Sequence, residues 1–413
     1  MKVVIIIPTY NEKGNIERLV EILENKIFPL IKNHNMNILV ADDNSPDGTA
    51  MEVKNLMKKW KNIDVNVGEK KGLGAAYVRA MTYAIEKMNA DVMFEMDADL
   101  SHDPSKIPEF LKKIDEGYDM AIGTRYSKGG SIPQNWGVSR KLFSIFGNLL
   151  VRTILMRFKI HDWTGGFRVL KKEVFLKEKN ELTAFRGYTF QVSFLHKVVR
   201  DGFKVAEVPI NFTDRTLGRS KIAPKEYIAD LLKYIITARI LELKRFIKFL
   251  IIGGSGFILQ IFAQELSVKT GVAYTLGLFI GPIVFSFTKH HGFIALRDGV
   301  AGGIGAETAI LSNFLWNNLW TFKDTVHLKK RSSILVRLLK FNLASLGSIF
   351  IQAVSIWLFV HLLGENLSIF SYIIPTRLVV VIPTIIFLVI PLNYFIYNRI
   401  IWKTQLLKNE KAS

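Results

Sequence analysis

Two patterns of apolar residues divide the chain. Up to about residue 240, short apolar runs bounded by turn residues alternate with helix-length segments laced with Lys and Glu. The runs are "KVVIIIP", "NILVADD", "DVNVGEK", "DVMFEMDAD" and "DMAIGTRY". That rhythm predicts βαβ units: a mostly parallel sheet covered by helices. After about Arg245 the apolar stretches lengthen to 246–268, 272–288, 300–322, 336–363 and 372–398. Each is near or above the roughly 20 residues that a spanning helix needs. The pattern therefore predicts an α/β domain over 1–240 and an all-α, multi-pass membrane domain over 241–413.

Charge sharpens that picture. The 413 residues carry 55 Lys+Arg against 36 Asp+Glu, a formal charge of +19, yet 49% of them are hydrophobic. Basic and apolar together point away from nucleic acid and toward a membrane protein with a charged cytoplasmic face. The basic stretches "RILELKRFIK", 323–337 and the tail "NRIIWKTQLLKNEKAS" are expected in the cytoplasm, and 364–371 is not basic. Placing the first two on one side requires an even number of crossings between them. Four spanning helices satisfy this if 272–296, interrupted by Gly281-Pro282, is an insertion that does not cross. Segments 136–158 and 224–242 are expected to lie in the membrane interface, the first being apolar with basic punctuation. The opening "MKVVIIIPTYNE" reads as a first strand and not as a signal peptide. With no Cys, disulfides and thiolate metal sites are excluded.

The polar residues of the first domain fall where predicted strands end: Thr9-Tyr10-Asn11-Glu12, Asp42-Asp43-Asn44, Asp97 with Asp99, and Arg125. Ligands of parallel sheets gather at those carboxyl edges. Alternation would put Asp97 and Asp99 on one face of an extended segment, where like charges repel unless a cation lies between them. The plainer reading is a strand followed by a solvated acidic turn, with Ser101-His102-Asp103-Pro104 opening the next helix. "KKGLGAA" lacks the spacing of a phosphate loop, so Lys71 is placed only near a possible nucleotide.

"PTYNE" (8–12), "DDNSPDGT" (42–49), "KGLGAA" (71–76), "DADLSHDP" (97–104) and "GTRY" (123–126) follow one another in order. "RKLFS", "DWTGGFRVLKKEVF", "GYTFQ" and "EVPINFTDRTLGRSKI" extend the series over roughly residues 1–235. It resembles glycosyltransferase family 2, and within it the dolichol-phosphate mannose synthases. The second half, with "FLWNNLWTFKD" at 314–324, is similar to the GtrA-type helical domain. The resemblance implies a GT-A, Rossmann-like catalytic domain. It implies a nucleotide pocket of Pro8, Tyr10, Glu12, Ala41, Asp43, Lys71 and Ala98, and a Mg²⁺ or Mn²⁺ ion held by Asp97, Asp99 and Ser101. Ser101 stands where some members carry Gln, a longer ligand.

The acceptor side follows in the same way. Arg140 and Ser144 would hold a lipid phosphate, Arg125 would bridge donor and acceptor, and Arg215 and Lys221 would add cations. His102 is read as a helix-start residue, and Lys141, Arg152 and Arg157 as membrane-surface charges. The implied reaction is inverting transfer of mannose from GDP-mannose to dolichyl or polyprenyl monophosphate. The acceptor is already anionic and needs no dedicated base. Two alternatives stay open here: glucosyl transfer from UDP-glucose, and a carrier of lipid-linked sugar that only binds nucleotide.

Overall fold

The computed structural model describes residues 1–182, 187–213, 224–288, 293–326, 334–369 and 372–402. The chain forms two compact units, Met1–Ile240 and Leu241–Ser413.

The first unit is built on a seven-stranded sheet. Its strands are β1 (Lys2–Thr9), β2 (Asn35–Asp42), β3 (Ile63–Val67), β4 (Val92–Glu95), β5 (Met120–Thr124), β6 (Arg168–Lys171) and β7 (Val205–Pro209), in the order β3-β2-β1-β4-β6-β5-β7. All pairings are parallel except those of β6, which runs antiparallel between β4 and β5. Val3 to Ile7 are wholly buried, as befits a central parallel strand covered on both faces. Alternation sorts them: Val3, Ile5 and Ile7 pack with α1 (Asn15–Ile22), α2 (Thr49–Lys59) and α4 (Ile107–Asp115). Val4 and Ile6 pack with α3 (Leu73–Glu86), α5 (Val138–Leu155), α6 (Lys172–Leu182) and α7 (Gly187–Arg200). This is the expected α/β architecture, with the sheet between two helical layers.

All five strands expected from the apolar runs are present. β6 and β7 were not expected. β4 is shorter than its run: its pairing ends at Glu95, and Asp97 and Asp99 lie in the following turn, with Leu100 at φ +60°. The two carboxylates are therefore not aligned on one face of a strand. Helix α5 occupies the expected interfacial segment and exposes Val138, Leu142, Phe143, Phe146 and Leu149, an apolar stripe.

The expected segments 224–242 and 246–268 are one continuous helix, α8 (Pro224–Lys269). The second unit continues with α9 (Val272–Thr288), α10 (Phe293–Trp316), a π-helical turn Asn317–Thr321, α11 (Lys323–Val326) and α12 (Ile334–Leu363). A hairpin of β8 (Asn366–Ile369) and β9 (Tyr372–Pro375) leads to α13 (Thr376–Thr384) and α14 (Ile390–Ile396). Among the described residues, three helical stretches are long and apolar enough to cross a membrane: Ile228–Lys269, Ile334–Leu363 and Val379–Ile401.

After β5 the backbone folds back so closely that a Cβ on Gly130 would lie 2.5 Å from the carbonyl oxygen of Thr124. Backbone cannot swing aside as a side chain can. Gly130→Ala should cost about 1–3 kcal/mol through this overpacking, read as a lowered melting temperature of the purified protein.

Candidate active site

The donor side is built from the ends of β1 and β2. Asp42 is wholly buried and is spent on structure, accepting from Thr9 Oγ1 (2.8 Å), Ser45 N (2.8 Å) and Ser45 Oγ (2.6 Å). Its neighbour Asp43 receives Arg79 Nη2 at 3.0 Å. Burial pushes the Asp43 carboxyl above its usual range, and Arg79 partly offsets this. Tyr10 lies beside them, with Lys70 Nζ 3.3 Å from its ring centroid. The cation facing this ring is thus Lys70. Lys71, expected near the nucleotide, pairs with Glu69 at 2.9 Å, both largely exposed. Glu12 Oε2 accepts from Asn15 Nδ2, and the side chain of Ala41 is wholly buried in the core, leaving its backbone for contacts. Pro8 sits in β1 paired with Ala41.

The turn after β4 is buried, not solvated: Ala98, Asp99, Ser101 and His102 are all under a tenth exposed. Asp99 Oδ1 accepts from Ser101 N at 3.1 Å, which closes the turn. His102 does not start the helix; Asp103 does, its side chain accepting from Ser105 N. The His102 ring stacks on Phe167 (5.0 Å, 8°) and its Nδ1 accepts from the backbone N–H of Asp97 at 3.1 Å. That bond leaves the proton on Nε2, 3.9 Å from Asp97 Oδ2. An imidazole therefore props the backbone that carries the first carboxylate. Sequence order alone concealed this, because Phe167 lies far along the chain.

This donor set suits a hard divalent ion. Asp97 is a third exposed, while Ser101 Oγ is buried with no hydrogen-bond partner among the described residues. Among those residues no three His, Cys, Asp or Glu side chains form a ready cage. Two carboxylates and a hydroxyl leave coordination positions for phosphate oxygens and water, as Mg²⁺ sites commonly do.

At the end of β5, Arg125 is held in a fork-to-fork pair with Asp162: Nε to Oδ2 at 2.7 Å and Nη2 to Oδ1 at 2.9 Å. Asp162 also accepts from the backbone N–H groups of Arg125, Thr164 and Gly165. Burial opposes the Asp162 charge, but Arg125 and these bonds outweigh it and hold the carboxyl below its usual range. The planar face that would have been matched to a substrate phosphate is thus already matched to a carboxylate. Arg125 Nη2 also donates to Thr164 Oγ1 at 2.7 Å.

Arg125, Arg140 and Ser144 nevertheless come together. They line a cavity of about 530 Å³ whose walls include Phe143, Phe146 and Leu231. The Arg140 guanidinium lies 4.0 Å from the Trp136 ring centroid, and Ser144 Oγ is 2.5 Å from Tyr126 OH. Tyr126, Trp136 and Asp162 were not anticipated, although Tyr126 and Asp162 lie inside the motifs "GTRY" and "DWTGGFR". Arg215 and Lys221 lie outside the described residues.

A profile described as glycosyl transferase family 2 matches residues 4–177, and one described as GtrA/DPMS, transmembrane domain, matches 248–402. The dolichol-phosphate mannosyltransferase of Pyrococcus furiosus is 34% identical over 375 residues, covering 89% of this chain and 94% of that protein. The chain belongs to glycosyltransferase family 2. This family 2 enzyme is also 38% identical over 226 residues to the polyprenol monophosphomannose synthase of Mycolicibacterium smegmatis, covering 54% of this chain and 81% of that one. Among solved structures, mannosyl-3-phosphoglycerate synthase from Rubrobacter xylanophilus is 18% identical with a TM-score of 0.42, covering 59% of this chain and 75% of its own. That likeness is too distant to bear on the site.

Behind the DxD turn the glycosyltransferase buries Glu95 completely, opposite Arg168 in the β4–β6 pairing. Burial raises the Glu95 carboxyl from 4.5 to about 7, against the pull of Arg168. Between those pH values the folded protein binds a proton that the unfolded chain has released. Stability therefore falls as pH rises through this window, by at most about 3 kcal/mol, and is level above it. Glu95→Gln should accordingly stabilise the metal-free protein at pH 8 and make little difference near pH 5. Thermal unfolding in EDTA at both pH values measures this.

Proposed function

We propose that this enzyme transfers mannose from GDP-mannose to dolichyl or another polyprenyl monophosphate, inverting the anomeric carbon. The observation that carries the reading is the cavity: two guanidinium groups and three hydroxyls, Ser144 among them, set among Phe, Leu and Ile side chains. Such a lining matches an anionic head joined to a hydrocarbon tail. The apolar stripe of α5 and the names of the two relatives support the same acceptor.

Tyr10, Lys70 and Asp43 would receive the nucleoside, Tyr10 by stacking and Asp43 through the ribose or base. Asp97, Asp99 and Ser101 would hold Mg²⁺ or Mn²⁺ against the diphosphate. When bound, the ion supplies Lewis-acid stabilisation of the departing nucleoside diphosphate. Arg140 and Ser144 would orient the lipid phosphate, with Tyr126 fixing the Ser144 hydroxyl. Arg125, locked by Asp162, offers a fixed positive charge between the β4 and β5 ends and loses no rotamer freedom when substrate arrives. The attacking oxygen is already anionic, so the residues position and neutralise; none needs to remove a proton.

Asp97→Ala and Asp99→Ala should each lower turnover at least about 100-fold, Asp97→Ala without lowering the melting temperature, and EDTA should lower turnover likewise. Arg140→Lys should raise the KM for lipid, because a point charge cannot replace a planar fork, whereas Arg157→Lys should behave as wild type. The check is a rate series against lipid at saturating GDP-mannose. Equal curves for the two Arg variants would remove the acceptor site, and transfer from UDP-glucose alone would replace mannose by glucose.

The basic segments support a cytoplasmic catalytic unit and C-terminus, with 300–322 as a fourth crossing within α10 and its π-helical turn. An impermeant thiol reagent on intact cells should then label Asn366→Cys and spare Lys323→Cys. The opposite pattern would reverse the orientation.

A further inference from the structure

In the helical unit, α12 buries three residues, Arg337, Phe341 and Ser348. Ser348 Oγ donates to Asn393 Oδ1 at 3.0 Å. Phe341 joins an aromatic cluster with Phe314, Tyr397 and Trp402, at centroid distances of 5.7, 4.7 and 6.0 Å. Arg337 lies one turn from Phe341 on the same face and is 7% exposed. Among the described residues it has no hydrogen bond, ion pair or aromatic partner, and its Nε is buried without an acceptor.

Phe341 packs on Phe314, and the chain beyond Phe314 turns polar. From Phe314 the same face continues through Asn317 and Asn318 to Thr321, all under a tenth exposed. Trp402 Nε1 donates to Asn318 Oδ1 at 3.4 Å, which joins this turn to the cluster holding Phe341. Thr321 Oγ1 and Asn317 Oδ1 are buried and unpartnered among the described residues. The surrounding charge is positive: Lys248 Nζ donates to the carbonyl of Trp320 at 3.1 Å. The nearby carboxylate Asp324 is shared with Arg245 at 3.7 Å.

An uncompensated guanidinium in an apolar unit is costly. The cost is relieved by an anion that offers several acceptor oxygens and can enter along lipid. We propose that Arg337, with Thr321, binds the phosphate group of a lipid inside the helical unit, at a site separate from the catalytic cavity; Asn317 already donates its amide N–H to the carbonyl of Asn313. Arg337 would supply the charge and the fork, Thr321 a hydroxyl donor, and Lys248 long-range attraction. This site does not depend on the sugar or nucleotide assigned above.

The test uses the full chain in a neutral detergent, with phytanyl monophosphate as probe and native mass spectrometry to count bound lipid. Wild type should hold two molecules; Arg337→Met should hold one, and so should Arg140→Met, through loss of the other site. Thr321→Val, nearly isosteric, should lower occupancy of the second site about tenfold. In lipid-free detergent Arg337→Met should melt no lower than wild type, since it removes a buried charge that no described residue balances. Phytanyl monophosphate should raise the melting temperature of Arg140→Met, but not of Arg140→Met/Arg337→Met, by about 2–4 °C. Millimolar inorganic phosphate should do neither. Two lipids still bound to Arg337→Met would overturn the proposal, as would a lipid-free Arg337→Met that melts well below wild type. Stabilisation by inorganic phosphate that Arg337→Met abolishes would assign the site to free phosphate and overturn the lipid assignment.

Discussion

The catalytic unit turns on one buried carboxylate. Asp162 accepts the fork of Arg125 and three backbone N–H groups, so a fully desolvated charge is paired and hydrogen-bonded on every side. Only such complete satisfaction makes a buried ion pair tolerable. Its consequence is geometric. The end of β5, the loop 162–165 and, through Thr164 and Asn148, helix α5 are tied at one point. Arg125 and Ser144 thereby meet at the same cavity.

A second layer of buried polarity supports the first. Arg168, wholly buried within β6, donates to the carbonyls of Gly165, Gln191 and Trp163 and so pins the loop that carries Asp162. On the other side of β6, Phe167 supports the imidazole that fixes the backbone of Asp97. One short antiparallel strand thus sets both the Asp97–Asp99 turn and the Arg125 anchor. It stands between β4 and β5, and the two halves of the site diverge from it.

The helical unit reverses the usual distribution of polarity. Its exterior is apolar, with Phe257, Phe262, Leu343 and Phe387 largely exposed, while Asn317, Asn318, Thr321 and Arg337 are inside. Close approach of helices replaces the hydrophobic effect, which is weak between surfaces already in hydrocarbon. Gly256 faces Asn313, and a Cβ on Gly305 would lie 2.6 Å from the carbonyl of Gln260. Interior polar groups then find partners in one another and in helix carbonyls, as Ser348 does with Asn393 and Asn317 with the carbonyl of Asn313.

The sequence by itself determined the strands β1 to β5, the change of composition near residue 240 and the order of the motifs. These are local: a strand buried on both faces must be a run of apolar residues, and a spanning helix must be long and uncharged. It also determined which carboxylates and cations were chemically fit for a site. Tertiary structure alone decided who meets whom. β6 was invisible because an Arg sits in it, and that Arg is tolerable inside only through three carbonyls supplied from elsewhere in the chain. His102 looked like a helix start because its stacking partner is 65 residues away in sequence. Lys70 and not Lys71 faces Tyr10 because backbone direction, which composition does not encode, turns one toward that ring and the other to water. Arg125 looked free for phosphate because nothing in "GTRY" announces Asp162. Residue chemistry is carried locally, whereas pairing depends on the path of the whole chain, and a buried charge is stable only where that path brings its complement.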